Sequence, residues 1–194
     1  MVAFPFPKSV LALGLAAALA IPALAQEAAT PAPTSSSEPA ASPAPTPTGL
    51  YDLDYDEEAD LFYAPGTKTP YTGPIYWNYD SGAKETVGAL KNGLSEGPWT
   101  EYFEDGKKSS EGAYIADEEN GPWKYWFENG QLESEGAYSE GKPVGLWKTY
   151  FDTGKPESIG VYVDGQMDGI WKFYDEDSGK ETTLTFKKGQ QLTP

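Results

Sequence analysis

Asp52, Asp54 and Asp56 have the spacing of the first ligands in an EF-hand calcium loop. Such a loop needs glycine at its sixth position and glutamate at its twelfth, where this chain has Glu57 and Tyr63. The run continues through Glu58 and Asp60 and reads as a solvated acidic lead-in. Two further acidic stretches, Asp117-Glu118-Glu119 and Asp175-Glu176-Asp177, are expected in loops, where carboxylates are the right hard ligands for loosely held calcium. Glycoside hydrolysis would need two carboxylates at a fixed separation, one with a raised pKa. No pair of acids stands out from its neighbours. The chain has no histidine and no cysteine, and all 14 basic residues are lysine. A Ser-His-Asp or Cys-His relay, a zinc site of the usual ligands and an arginine phosphate clamp are therefore out of reach. No catalytic residue, no metal site and no cofactor is expected.

The formal charge of −16 sets the class of partner. Such a surface repels nucleic-acid phosphates and anionic lipid headgroups and attracts a basic partner over long range. The N-terminus reads as an address. Lys8 precedes an apolar run from Val10 to Ala20, Pro22 breaks it, and Ala23-Leu24-Ala25 offers a cleavage site. Residues 1–25 are expected to form a signal helix cleaved after Ala25, with no cysteine following for a lipid anchor. The run is too short to span a bilayer. Residues 26–48 hold six Pro, six Ala and eight Ser or Thr, the composition of a disordered linker. Residues 49–72 form an acidic lead-in and capping strand. Export to the periplasm or beyond is the expected localisation.

The side chains that remain for binding are aromatic, and a 24-residue beat positions them. Trp99, Trp123, Trp147 and Trp171 keep this spacing, each two residues after Gly97, Gly121, Gly145 or Gly169. Gly73 and Ile75 extend the series backward. Five hairpin units are expected, at 73–96, 97–120, 121–144, 145–168 and 169–194. Ser81-Gly82, Asp105-Gly106, Asn129-Gly130 and Thr153-Gly154 read as two-residue type I′ turns, with Thr153 a poor fit to positive φ. Asn92-Gly93, Glu140-Gly141 and Asp164-Gly165 return the chain to the next unit. Counting outward from the first turns sets Trp99 opposite Gly112, Trp123 opposite Gly136, Trp147 opposite Gly160 and Ile75 opposite Gly88. The bare glycine backbone then gives each indole a place to lie. The fifth unit has an extra residue in its turn and Leu184 in the glycine slot, as an atypical terminal repeat. The fold class that follows is all-β, a tandem array of antiparallel hairpins joined into one elongated, twisted meander. Alternation along the first strand of each unit puts Trp99, Glu101 and Phe103 on one face and Thr100 and Tyr102 on the other. Tyr102, Trp126, Tyr150 and Tyr174 share one slot and form a candidate binding strip.

At these residues the chain resembles the bacterial variant of the MORN repeat. The pattern is Gly-x-Trp-x-x-Tyr, a turn glycine, then Gly-x-Tyr, carried by Gly97, Trp99, Tyr102, Gly106, Gly112 and Tyr114. Leu61-Phe62-Tyr63 and Pro70-Tyr71-Thr72-Gly73 look like the start of that family, whose members are often labelled YwqK-type antitoxins. The resemblance implies the hairpin array and a protein-interaction role, and it brings no catalytic residues. Three readings follow: a scaffold that docks a protein in the cell envelope, a module that binds glycan or cell-wall polymer, and an antitoxin-like immunity protein. Tyr and Trp are the expected anchors in each.

Overall fold

The computed structural model describes residues 48–49 and 53–193. The expected signal helix, and the linker apart from Thr48, lie outside the described residues.

Thr48–Gly49 (β1), Asp54–Asp56 (β2) and Leu61–Tyr63 (β3) precede the array. Gly73–Asn78 (β4) and Lys84–Lys91 (β5) make the first hairpin, followed by the short Leu94–Ser95 (β6). Gly97–Tyr102 (β7) and Lys108–Ile115 (β8) make the second, followed by Glu118–Glu119 (β9). Gly121–Trp126 (β10) pairs with Leu132–Ser139 (β11), Lys142–Tyr150 (β12) with Pro156–Val163 (β13), and Gln166–Tyr174 (β14) with Glu181–Lys187 (β15). Gln190–Leu192 (β16) closes the chain. Fourteen strands form one sheet whose long strands follow chain order, the meander that short connections dictate. Its pairings are antiparallel except at the first edge, where β1 lies parallel to β4. β2 and β3 form a separate two-stranded sheet. No helix occurs among the described residues.

The two turns of each unit differ from the expected assignment. In the first turn Phe103 N–H donates to Lys107 O at 2.8 Å and Gly106 N–H donates to Phe103 O at 2.9 Å. This is a three-residue loop in which only the glycine, at φ 83°, is left-handed. The same bonds close the loops at Tyr79, Phe127 and Phe151. Thr153 therefore never meets positive φ, and its poor fit to a type I′ turn does not arise. Type I′ geometry belongs to the second turns: Asn92-Gly93 at φ 54° and 86°, Glu140-Gly141 at 52° and 68°, Asp164-Gly165 at 49° and 78°. Ala116-Asp117 adopts it with no glycine, at 50° and 65°.

The register is nevertheless as counted: Trp99 faces Gly112, Trp123 faces Gly136, Trp147 faces Gly160 and Ile75 faces Gly88. Two differences cancel. The three-residue loop moves the return strand by one residue. A bulge moves it back, since Glu101 pairs with Ser110 but Tyr102 with Lys108, leaving Ser109 over. The equivalent extra residues are Glu85, Glu133 and Glu157.

Neighbouring units are tied by backbone bonds at one row of positions. Gly93, Asp117, Gly141, Gly165 and Gly189 donate their N–H groups to the carbonyls of Tyr71, Ser95, Glu119, Pro143 and Met167. Just before each tryptophan the strand bends at a left-handed glycine, with φ 80° at Gly97, 78° at Gly121, 67° at Gly145 and 77° at Gly169. The core is the single sheet face that carries Ile75, Leu90, Trp99, Trp123, Tyr138, Trp147, Tyr162 and Trp171.

Candidate functional site

The tryptophans fix how one hairpin meets the next. Each indole lies on a bare glycine backbone, but not on the glycine opposite it in its own hairpin. A methyl group at Gly112 would stand 2.1 Å from the ring of Trp123, one at Gly136 2.2 Å from Trp147, and one at Gly160 2.0 Å from Trp171. Gly88 meets Trp99 in the same way, at 2.1 Å. The ring therefore crosses to the preceding unit, correcting the expectation of a contact within the hairpin. Three indole N–H groups then donate to the carbonyl beside that glycine: Trp123 to Ala113 at 3.2 Å, Trp147 to Ala137 at 3.1 Å, Trp171 to Val161 at 3.1 Å. Trp99 presents its other ring edge to Gly88 and donates instead to Glu101 at 3.4 Å. Return-strand rings interleave edge-on. Tyr138 is 5.0 Å from Trp147, and Tyr162 is 6.1 Å from Trp147 and 5.0 Å from Trp171. This interlocking ties each hairpin to the one before it through its indole.

The opposite face carries the candidate strip. Tyr102, Trp126, Tyr150 and Tyr174 are all half-buried and occupy the same slot of successive units. Two strands separate each from the next, a spacing of about 10 Å. Between them run cross-strand ion pairs, with Lys148 at 3.0 Å from Glu135 and Lys172 at 3.1 Å from Glu181. The Lys84 ammonium stands 5.5 Å from the centroid of Tyr102. The last two units add exposed aliphatic groups here: Leu146, its cross-strand partner Val161, and Ile170 at 64 % exposure. The strip thus lies outside the tryptophan core, on a face where cations and anions are mutually paired.

The core face holds a feature that the sequence reading missed. Two residues after each core position come Trp77, Glu101, Tyr125, Thr149 and Phe173. Tyr125 stacks on Trp123 at 5.8 Å and Phe173 on Trp171 at 6.0 Å. Thr149 covers nothing comparable, and its hydroxyl shares a 2.7 Å hydrogen bond with Ser158. A groove of about 410 Å³ opens there, walled by Phe127, Phe151, Trp147 and Trp171 and edged by Glu133 and Glu157. Loss of solvent pushes the Glu133 carboxyl above its ordinary range, and the charge of Glu157 adds to the shift. Elsewhere on the core face, burial likewise raises Glu85 and Glu119, and the charge of Glu101 adds to both. The short residue at position 149, between a tyrosine and a phenylalanine one unit away on either side, was the available signal.

The acidic stretches serve other ends. Asp56 accepts N–H groups from Glu58 and Ala59, Asp54 accepts that of Gly66, and Asp60 binds the Tyr55 hydroxyl. Asp52 lies outside the described residues. Glu118–Glu119 is a strand rather than a loop, and the Asp117 carboxylate caps the Ser95 N–H. Asp175 accepts from Ser178 within its turn. Among the described residues no group of three potential ligands converges on a metal position. No helix among them is long and apolar enough to cross a membrane.

No curated protein matches the chain. Residues 95–116, 119–140 and 143–164, which repeat in phase with the hairpins and hold both partners of the two central interlocks, each match the family model described as MORN repeat variant, and in these segments the chain is similar to that family.

Proposed function

We propose that the chain is an exported, non-catalytic repeat module that docks a protein partner in the cell envelope. The supporting observation is the strip itself. Four large aromatics stand half-exposed at one slot of four successive hairpins, on the face that the core does not need. Rigid aromatic groups at regular spacing are effective interface anchors, because they bury large area at little entropic cost. Exposed Leu146, Val161 and Ile170 extend the apolar surface at one end. Repetition also favours binding over catalysis, since the units are nearly equivalent and an active site is singular. The leader-like N-terminus supports export.

Site-specific photo-crosslinking in the native envelope tests this. Probes at positions 126 and 150 should trap the same protein, and a Y102A/W126A/Y150A variant should lose at least tenfold in its capture. Capture unchanged by the triple variant would remove the strip as the docking surface. Co-sedimentation with purified cell wall that is lost in the same variant would instead favour the glycan-binding reading.

A further inference from the structure

We infer that the groove at Thr149 holds a single cationic side chain, lysine or arginine, from a basic segment of the protein partner. The inference names the chemistry of that partner, and to that extent rests on the docking reading, but it concerns the opposite face of the sheet.

The void exists because one residue is small. Tyr125 and Phe173 cover the equivalent places one unit to either side, and Thr149 does not. The walls are the rings of Phe127, Phe151, Trp147 and Trp171. Aromatic faces carry negative quadrupole charge and attract ammonium and guanidinium groups. The rim supplies carboxyl groups from Glu133 and Glu157, with Asp152 beside them. Neither glutamate has an ion pair or hydrogen-bond partner among the described residues, and no lysine lines the groove. This contrasts with the outer face, where Lys124, Lys148 and Lys172 are matched to Glu135 and Glu181. Two carboxylates held near one another at an apolar wall, with no counter-charge, suit a ligand that brings N–H donors and one positive charge. Anions are repelled, and a neutral polar group would leave the carboxylate charge uncompensated. The net charge of −16 draws such a segment in from a distance.

The test uses the full chain and a blocked amino acid as probe. Nα-acetyl-arginine amide and Nα-acetyl-lysine amide are titrated while the indole N–H signals of Trp147 and Trp171 are followed by NMR. Those two signals should shift more than those of Trp99 and Trp123, and the neutral citrulline analogue should shift them at least tenfold less at equal concentration. T149Y fills the void with the side chain that position 125 already carries, so it should fold and lose at least tenfold in affinity. E133Q/E157Q should lose a similar factor with the cavity intact. An equal response to citrulline, or affinity unchanged in T149Y, overturns the inference. Agmatine binding tenfold more tightly than blocked arginine would assign the site to a free amine and overturn a protein source. Tyr150 of the outer strip also lines the groove, but T149Y and E133Q/E157Q leave all four strip residues in place, so docking there can fail or stand separately.

Discussion

Replacing Gly136 with alanine tests the junction between units at its tightest point. The new methyl would stand 2.2 Å from Cδ2 and Cε2 of the Trp147 ring and 2.6 Å from Cγ. Carbon atoms in contact rest about 3.5–4.0 Å apart, so ring or backbone must retreat by roughly 1.5 Å. The ring has little freedom to do so. Its N–H is bonded to Ala137 O at 3.1 Å, and Tyr138 and Tyr162 close on it edge-first. Overpacking of this kind costs about 1–3 kcal/mol, and a lost indole hydrogen bond adds about 1 kcal/mol. G136A should therefore cost about 3 kcal/mol, a fall in Tm of roughly 6–12 °C for a domain of this size. Urea unfolding followed by far-UV circular dichroism measures the cost. Its origin is settled in two further backgrounds. In W147I the ring is gone, as it is naturally at Ile75, and G136A should cost less than about 1 kcal/mol. In W123I, which alters the residue opposite Gly136 in the same hairpin, the full cost should persist. Rescue by W123I and not by W147I would refute the reasoning.

Other consequences are smaller but as definite. Ala116 sits at φ 50° in the slot where the first unit has Asn92, so A116N should gain about 0.5–1 kcal/mol in chemical denaturation. T153N should stay within about 0.5 kcal/mol of the parent, because Thr153 is not left-handed; a clear gain there would restore a type I′ turn. The folded state raises the Glu133 pKa, so it binds that proton more readily than the unfolded chain does, and Glu133 lowers stability progressively as pH rises past the ordinary glutamate value and in full above its folded value. E133Q should thus be more stable than the parent at pH 7, with the gain fading as pH falls through that value and absent below the ordinary glutamate range; a gain that grows on acidification would contradict this.

Much of the fold was legible because the repeat is strict. The 24-residue spacing of glycine and tryptophan carried the hairpin register through an error in turn type, since the bulge at Ser109 offsets the longer loop. Turn type itself was misread because Asp105-Gly106 and Asn129-Gly130 suit both geometries, and only hydrogen bonding at Phe103 and Phe127 separates them. The destination of the indoles was hidden for a related reason. Gly112 neighbours Trp99 in its own hairpin and also lies beneath Trp123 of the next, and a one-dimensional count sees only the first relation. The ends of the array did hold the answer. The last unit has Leu184 in the glycine slot, where no later indole arrives, and the first has Ile75 in the tryptophan slot, where no earlier glycine waits. The half-buried placement of Tyr102, Trp126, Tyr150 and Tyr174 at one repeated slot was legible from repeat and alternation. The groove was not, because it arises from the missing bulk of Thr149 relative to units on both sides.

Nuclear Overhauser contacts from the glycine α-protons reach the interlock directly. The indole ring protons of Trp123, Trp147 and Trp171 should give strong contacts to Gly112, Gly136 and Gly160, with those α-protons shifted well upfield by the ring currents. Ring contacts from Trp99 to Gly112 and from Trp123 to Gly136 in their place, with unshifted α-protons, would contradict a sheet locked together from one hairpin to the next.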